Sequence, residues 1–110
     1  MSVRLILKDG TMTAILDGEI DHHTAREIRM EIDETAGKMK PKRLILDFSG
    51  VQFMDSSGIG LIMGRYKMMQ TINGSVTICN MSPKIEKIIS LAGLDRLAKI
   101  ERGVNNETNE

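Results

Sequence analysis

The residues that most narrow the fold are Arg43-Leu-Ile-Leu-Asp-Phe48, a compact apolar run ended by Ser49-Gly50. A near-continuous run of this kind reads as a central strand covered on both faces, the signature of a sheet with parallel neighbours. The flanking sequence supplies the crossovers. Val3–Leu7 and Met12–Leu16 are β-rich, and Asp9-Gly10 between them marks a hairpin turn. Gly18-Glu19-Ile20-Asp21 then leaves the strand and approaches a helix whose stripe is Ala25, Ile28, Ile32 and Ala36. That helix has two candidate starts, a capping box over Thr24–Glu27 or an Asp21 cap one turn earlier, and Gly37 is expected to close it.

Val51–Met54 reads as a second short extended piece, leading into Asp55-Ser56-Ser57-Gly58 and another helix. Ile59, Ile62, Met63, Tyr66 and Met69 form its apolar face, with Arg65 and Lys67 outside it. Gly58, Gly60 and Gly64 each weaken that helix by roughly 1 kcal/mol relative to alanine, so close approach to the sheet or to a partner is expected there. After an Asn73-Gly74 turn comes a buried strand, Ser75–Asn80, and then Ser82-Pro83, a cap followed by proline at the first helical position. Ile85, Ile88, Ile89 and Ala92 mark a third stripe, stopped by Gly93 with Leu94 packing beyond it, and Lys99–Glu101 can form a last strand. The order predicts an α/β sandwich: a mixed sheet of four to five strands, right-handed parallel crossovers, and three to four helices.

A chain of 110 residues with 41% apolar content suits one globular domain, here residues 1–102, followed by a polar tail over 103–110 that is expected to fray. Fifteen basic and fifteen acidic residues leave no net charge, and with two Phe, one Tyr and no Trp the chain lacks stacking platforms. Nucleic acid and anionic membrane are therefore not expected partners. The single cysteine, Cys79, follows an apolar run and excludes both an intramolecular disulfide and multi-cysteine metal motifs; it reads as a buried inert thiol, with a redox role as the alternative. The charged N-terminus is no signal peptide, and no run approaches the roughly 20 apolar residues of a membrane span, so a cytoplasmic location is expected.

Chemistry can sit at two strand-to-helix junctions. In Glu19-Ile-Asp21-His22-His23 the adjacent histidines point to different faces of a helix and no third histidine exists, so capping or partner contact is expected rather than a metal. In Asp55-Ser56-Ser57-Gly58 three readings stand: an N-cap, a serine nucleophile with His22 or His23 as base, or a regulatory acceptor serine. Gly-x-Ser-x-Gly is absent, which weighs against the nucleophile, and no Gly-Lys-Ser/Thr follows a glycine-rich stretch, which excludes a P-loop. A helix N-terminus accommodates a phosphate, and one here would take the local charge from about −1 to about −3. Gly64-Arg65-Tyr66-Lys67 reads as a solvated basic end, with partner contact as the alternative.

Two segments, Gly18–Ala25 and Phe53–Lys67, resemble the anti-sigma factor antagonists, whose domain is shared with sulfate transporters and abbreviated STAS. The Asp-Ser-Ser-Gly motif marks the wider family, while Asp21-His22-His23 and Gly64-Arg-Tyr-Lys67 are most similar to the sporulation type of spore-forming Gram-positive bacteria. Strand 44–48, the Ser82-Pro83 cap and Ser90–Leu94 fall in the expected order, so the resemblance spans roughly residues 3–101. It implies a STAS-type α/β sandwich and a regulatory module, not an enzyme, without cofactor or metal and monomeric when free. The partner implied is an anti-sigma factor that is also a serine kinase; binding it releases a sigma factor. Phosphorylation of the motif's first serine, here Ser56, switches binding off, and a serine phosphatase reverses it. Glu19, Asp21, His22, Asp55, Ser56, Ser57, Gly58 and Arg65 match the partner-facing positions. A stress-response circuit with a different kinase is the alternative, and the helix that usually ends such domains has no counterpart in GVNNETNE.

Overall fold

A computed structural model describes residues 3–101; the predicted tail at 103–110 lies outside them. Five strands and three helices follow in chain order: β1 Val3–Lys8, β2 Thr11–Ile20, α1 His22–Met39, β3 Arg43–Met54, α2 Ser56–Gln70, β4 Ser75–Cys79, α3 Pro83–Leu91, a 3₁₀ turn Leu94–Arg96, and β5 Lys99–Glu101. The sheet order is β1-β2-β3-β4-β5, antiparallel between β1 and β2 and parallel elsewhere. Asp9 (φ 53°) and Gly10 (φ 79°) both take left-handed conformations, the primed turn that a two-residue hairpin needs. None of the described helices is long and apolar enough to cross a membrane.

The core lies on one face of the sheet. Met12 and Ala14 of β2 stand in register with Leu44 and Leu46 of β3, which in turn pair with Val76 and Ile78 of β4, and Leu16 is buried beside them. These side chains and Phe48 pack with Ala25, Ile28, Ile32 and Ala36 of α1 and Ile85 and Ile89 of α3 in a single cluster. The apolar run 43–48 predicts a strand covered on both faces. Instead its burial alternates: Leu44, Leu46 and Phe48 are buried, while Ile45 and Asp47 are half-buried on the opposite face. Apolar Ile45 hid that alternation. Arg43 spans the second face, donating to Thr77 Oγ1 (3.3 Å) and to Glu101 Oε2 (3.1 Å), so one guanidinium ties β3 to β4 and β5.

Two breaks read from the sequence do not occur. Ser49-Gly50 does not end the strand, and Gly18 does not end β2. From Ile15 to Asp17 β2 takes two steps while β3 takes three, from Asp47 to Gly50, and β3 gains a further residue between Val51 and Phe53. These are β-bulges, which absorb the irregularity without ending the pairing. Gly50 is required by crowding: an added Cβ would stand 2.7 Å from Asp17 Oδ1 and 2.9 Å from the Leu16 carbonyl oxygen. The main-chain oxygen cannot swing away as a side chain can. Gly50→Ala is therefore expected to cost about 1–3 kcal/mol, measured as a lowered urea midpoint.

Helix α1 also runs past Gly37. Lys40, at φ 46°, closes it by donating its N–H to the Ala36 carbonyl at 2.8 Å. A glycine at 37 was not needed because the left-handed residue falls three positions later. At α3 the expectations hold: Ser82 Oγ accepts from Ile85 N, Pro83 is the first helical residue, and Gly93 at φ 79° turns the chain so that Leu94 is buried. Ala92, placed in the stripe, instead caps the helix and is exposed. Cys79 is buried, and desolvation, with Asp47 and Glu101 nearby, pushes its thiol up to about 12. A thiolate is thus disfavoured, which removes the basis for a redox role.

Candidate functional site

Because β2 and β3 are parallel neighbours, their C-terminal ends bring the two junctions together. Ile20 pairs with Met54, and the Asp55 N–H donates to the Ile20 carbonyl at 3.1 Å. The next residue after each strand is the cap of a helix, Asp21 for α1 and Asp55 for α2. Glu19 and Phe53 are paired one step back, and both are exposed. The phenylalanine was not singled out from the sequence, since a bulge had to be known before its side could be assigned.

The α1 start is the earlier of the two alternatives, and Thr24 serves it rather than replacing it. Asp21 Oδ1 accepts from Thr24 N at 3.0 Å, and Thr24 Oγ1 accepts from Asp21 N at 2.8 Å while donating to the Glu19 carbonyl at 2.8 Å. The Thr24 amide hydrogen bond, foremost among several causes, holds the Asp21 carboxyl below its ordinary 3.8. A carboxyl depressed in the native state stabilises fully above its ordinary value and loses that contribution as pH falls through the native one. Asp21→Ala should therefore unfold at lower urea than the wild type near neutral pH. At about pH 2 the two midpoints should converge, apart from effects common to both proteins.

At the second junction Asp55 Oδ1 accepts from Ser57 N at 2.8 Å, and the Asp55 carbonyl accepts from Gly58 N at 3.0 Å. Ser56 opens the helix exposed, and its hydroxyl makes no hydrogen bond among the described residues. Ser57 is half-buried. No hydrogen bond joins His22 or His23 to either serine among the described residues, whereas the two imidazoles meet edge-on with centroids 6.1 Å apart. Among those residues no three of His, Cys, Asp and Glu gather as metal ligands would.

Two of the residues expected at the surface are not there. Gly58 is buried, because the helix start seats on Met54: an added Cβ would run into its Cγ and Sδ. Arg65, expected to face solvent, is 5% exposed and turns inward to α1. Its Nη2 donates to Asp33 Oδ2 at 3.1 Å and its Nη1 to the Leu61 carbonyl at 3.3 Å. Nε stands 2.8 Å from Asp33 Oδ1, yet its N–H misses that oxygen, so this approach is a charge contact only. Burial pulls the guanidinium down from its ordinary value, and Asp33 pulls it back. Glu19, Asp21, His22, Asp55, Ser56 and Ser57 remain at the shared edge, an acidic margin around two serine hydroxyls of which that of Ser56 is the more exposed.

Residues 3–106 match the STAS domain family. Over 100 residues the chain is 35% identical to an anti-sigma F factor antagonist of Paenibacillus polymyxa, a match covering 91% of this chain and 83% of that protein. The solved structure of the anti-sigma factor antagonist SpoIIAA in its unphosphorylated form shares 29% identity at a TM-score of 0.83, covering 96% of this chain and 90% of its own. The phosphorylated form of SpoIIAA, described as a Bacillus cell fate determinant, gives 0.76 at 29% identity over 96% and 94%.

Proposed function

This chain belongs to the STAS domain family, and we propose that it is an anti-sigma factor antagonist of the sporulation type. The unphosphorylated domain binds an anti-sigma factor that is also a serine kinase, and a sigma factor is thereby released. Phosphorylation of Ser56 switches binding off, and a serine phosphatase restores it. The protein acts in the cytoplasm as a monomeric binding module and performs no catalysis of its own. One observation carries the switch: Ser56 is exposed and unbonded at the first position of α2, between Asp55 and the Glu19–Asp21 edge. A kinase can reach that hydroxyl without opening the fold. The backbone around it is already capped, so a phosphate changes charge rather than secondary structure.

The test is intact mass and peptide mapping after incubation with ATP and the anti-sigma factor kinase of the same genome. One phosphate on Ser56, lost in Ser56→Ala, is expected. Modification of Ser57, or none from a kinase active on another substrate, would overturn the assignment. His22→Ala should leave phosphorylation intact, whereas a hydrolase using that imidazole would be abolished.

A further inference from the structure

The two edges of the sheet differ. β5 closes one side with three residues, too short to template another strand, whereas β1 closes the other with six and pairs with β2 without a bulge. β1 holds no proline, and Val3, Leu5 and Leu7, which share the core face with their β2 partners, are all apolar. Leu5 is only half-buried, Leu7 is 41% exposed, and Ile6 on the opposite face is 45% exposed. Among the described residues no strand lies beyond this edge. The hairpin decides which of its main-chain groups are free. A two-residue primed turn is flanked by a hydrogen-bonded pair, here Lys8 with Thr11, so Arg4, Ile6 and Lys8 bond to β2. The N–H and C=O groups of Val3, Leu5 and Leu7 therefore point away from the sheet, and a strand added here must bond to those residues.

We propose that β1 pairs antiparallel with β1 of a second copy of this chain, with Leu5 on the two-fold axis. Registers centred between residues would set the free groups against ones already bonded to β2. Charge then selects among the rest. Centring on Arg4 would oppose two arginines, centring on Ile6 would set Arg4 against the partner's Lys8, and centring on Leu7 would pair only residues 6–8. With Leu5 at the centre, Leu5 meets the partner's Leu5 and Val3 meets the partner's Leu7 as hydrogen-bonded pairs, while Ile6 lies against the aliphatic stem of the partner's Arg4. No like charges face each other, and the exposed surfaces of Leu5, Ile6 and Leu7 become covered. Such a contact is isologous and closes at two copies. One strand pair is small beside the roughly 1,200 Å² of stable complexes, so the dimer is weak and the dilute protein remains the monomeric module described above. The antiparallel pairing sends the two Ser56 edges to opposite ends of the joined sheet, where both stay open.

Sedimentation equilibrium from about 10 μM to about 1 mM on wild type, Ile6→Glu and Ile6→Lys tests this pairing. Ile6 is exposed, so both variants should melt within about 3 °C of each other. They lose the same isoleucine and differ only in the charge presented to the partner's Arg4, twice in each dimer. Wild type is expected to pass from monomer towards dimer across the range. Ile6→Glu should dimerise at least tenfold more tightly than Ile6→Lys, because opposed charges across a strand pair attract and like charges repel. A wild type that stays monomeric up to about 1 mM would overturn the proposal. A dimer held equally by the two variants would place the contact on another surface and overturn it as well. Neither outcome depends on the antagonist reading, which phosphorylation of Ser56 tests separately.

Discussion

Phosphorylating Ser56 is expected to weaken binding to the anti-sigma factor by roughly 30- to 1,000-fold, the larger figure applying if the phosphate faces an acidic group of the partner. Two unit charges about 4 Å apart interact by roughly 4 kcal/mol at an effective dielectric near 20, and a phosphate carries about −1.5 to −2. A loss of about 2–4 kcal/mol follows from charge and bulk alone. Asp55, exposed beside the serine, already contributes negative charge to this surface. Ser56→Asp should lose part of the affinity, because it adds one charge on a shorter arm, and Ser56→Ala should bind like the unmodified wild type. Titration calorimetry on the three proteins and the phosphorylated form measures this directly. Equal binding by Ser56→Ala and Ser56→Asp would defeat the electrostatic account. Spectra of the phosphorylated and free proteins should differ near Glu19, Asp21 and Ser56 and agree elsewhere, because the capped helix starts need no rearrangement.

The second large effect concerns stability. Asp33→Ala is expected to cost about 2–3 kcal/mol, somewhat below the 3–5 of a fully buried pair, because the Asp33 side chain is 38% exposed. It would leave the Arg65 guanidinium, whose side chain is 6% exposed, without its counter-charge between α1 and α2. Removing the cation instead is milder: Arg65→Met takes away the charge that needs compensation and leaves Asp33 able to hydrate. The ordering of urea midpoints, wild type above Arg65→Met above Asp33→Ala, checks the asymmetry. Equal midpoints for wild type and Asp33→Ala would mean that water reaches Arg65 and the pair contributes little.

Local chemistry was easily read at the hairpin, at the Ser82-Pro83 cap and at Gly93, because each is decided by residues within four positions of one another. The α1 stripe was equally plain, with all four predicted residues buried. What the sequence concealed depended on a second element. The continuity of β3 through Gly50 requires β2 alongside, since a bulge is a property of two strands. Arg65 looked solvated because Asp33 lies 32 residues away. A hint was present all the same: Asp33 stands at the margin of the α1 stripe next to Ile32, and Arg65 follows Leu61 by one helical turn. The site itself divides in the same way. Asp21 and Asp55 were recognisable as caps singly, whereas their placement on one edge came from the parallel pairing of β2 with β3, and the preference for Ser56 over Ser57 gains support only once their exposures are known.

The central claim, that this domain displaces a sigma factor from its inhibitor, is tested most directly by adding it to a preformed complex of the sigma factor and the anti-sigma factor kinase and following sigma release by size exclusion. Unphosphorylated wild type should free the sigma factor in proportion to the amount added, and the Ser56-phosphorylated protein should free little. Retention of the sigma factor in the complex, with the unphosphorylated domain in excess, would contradict the account.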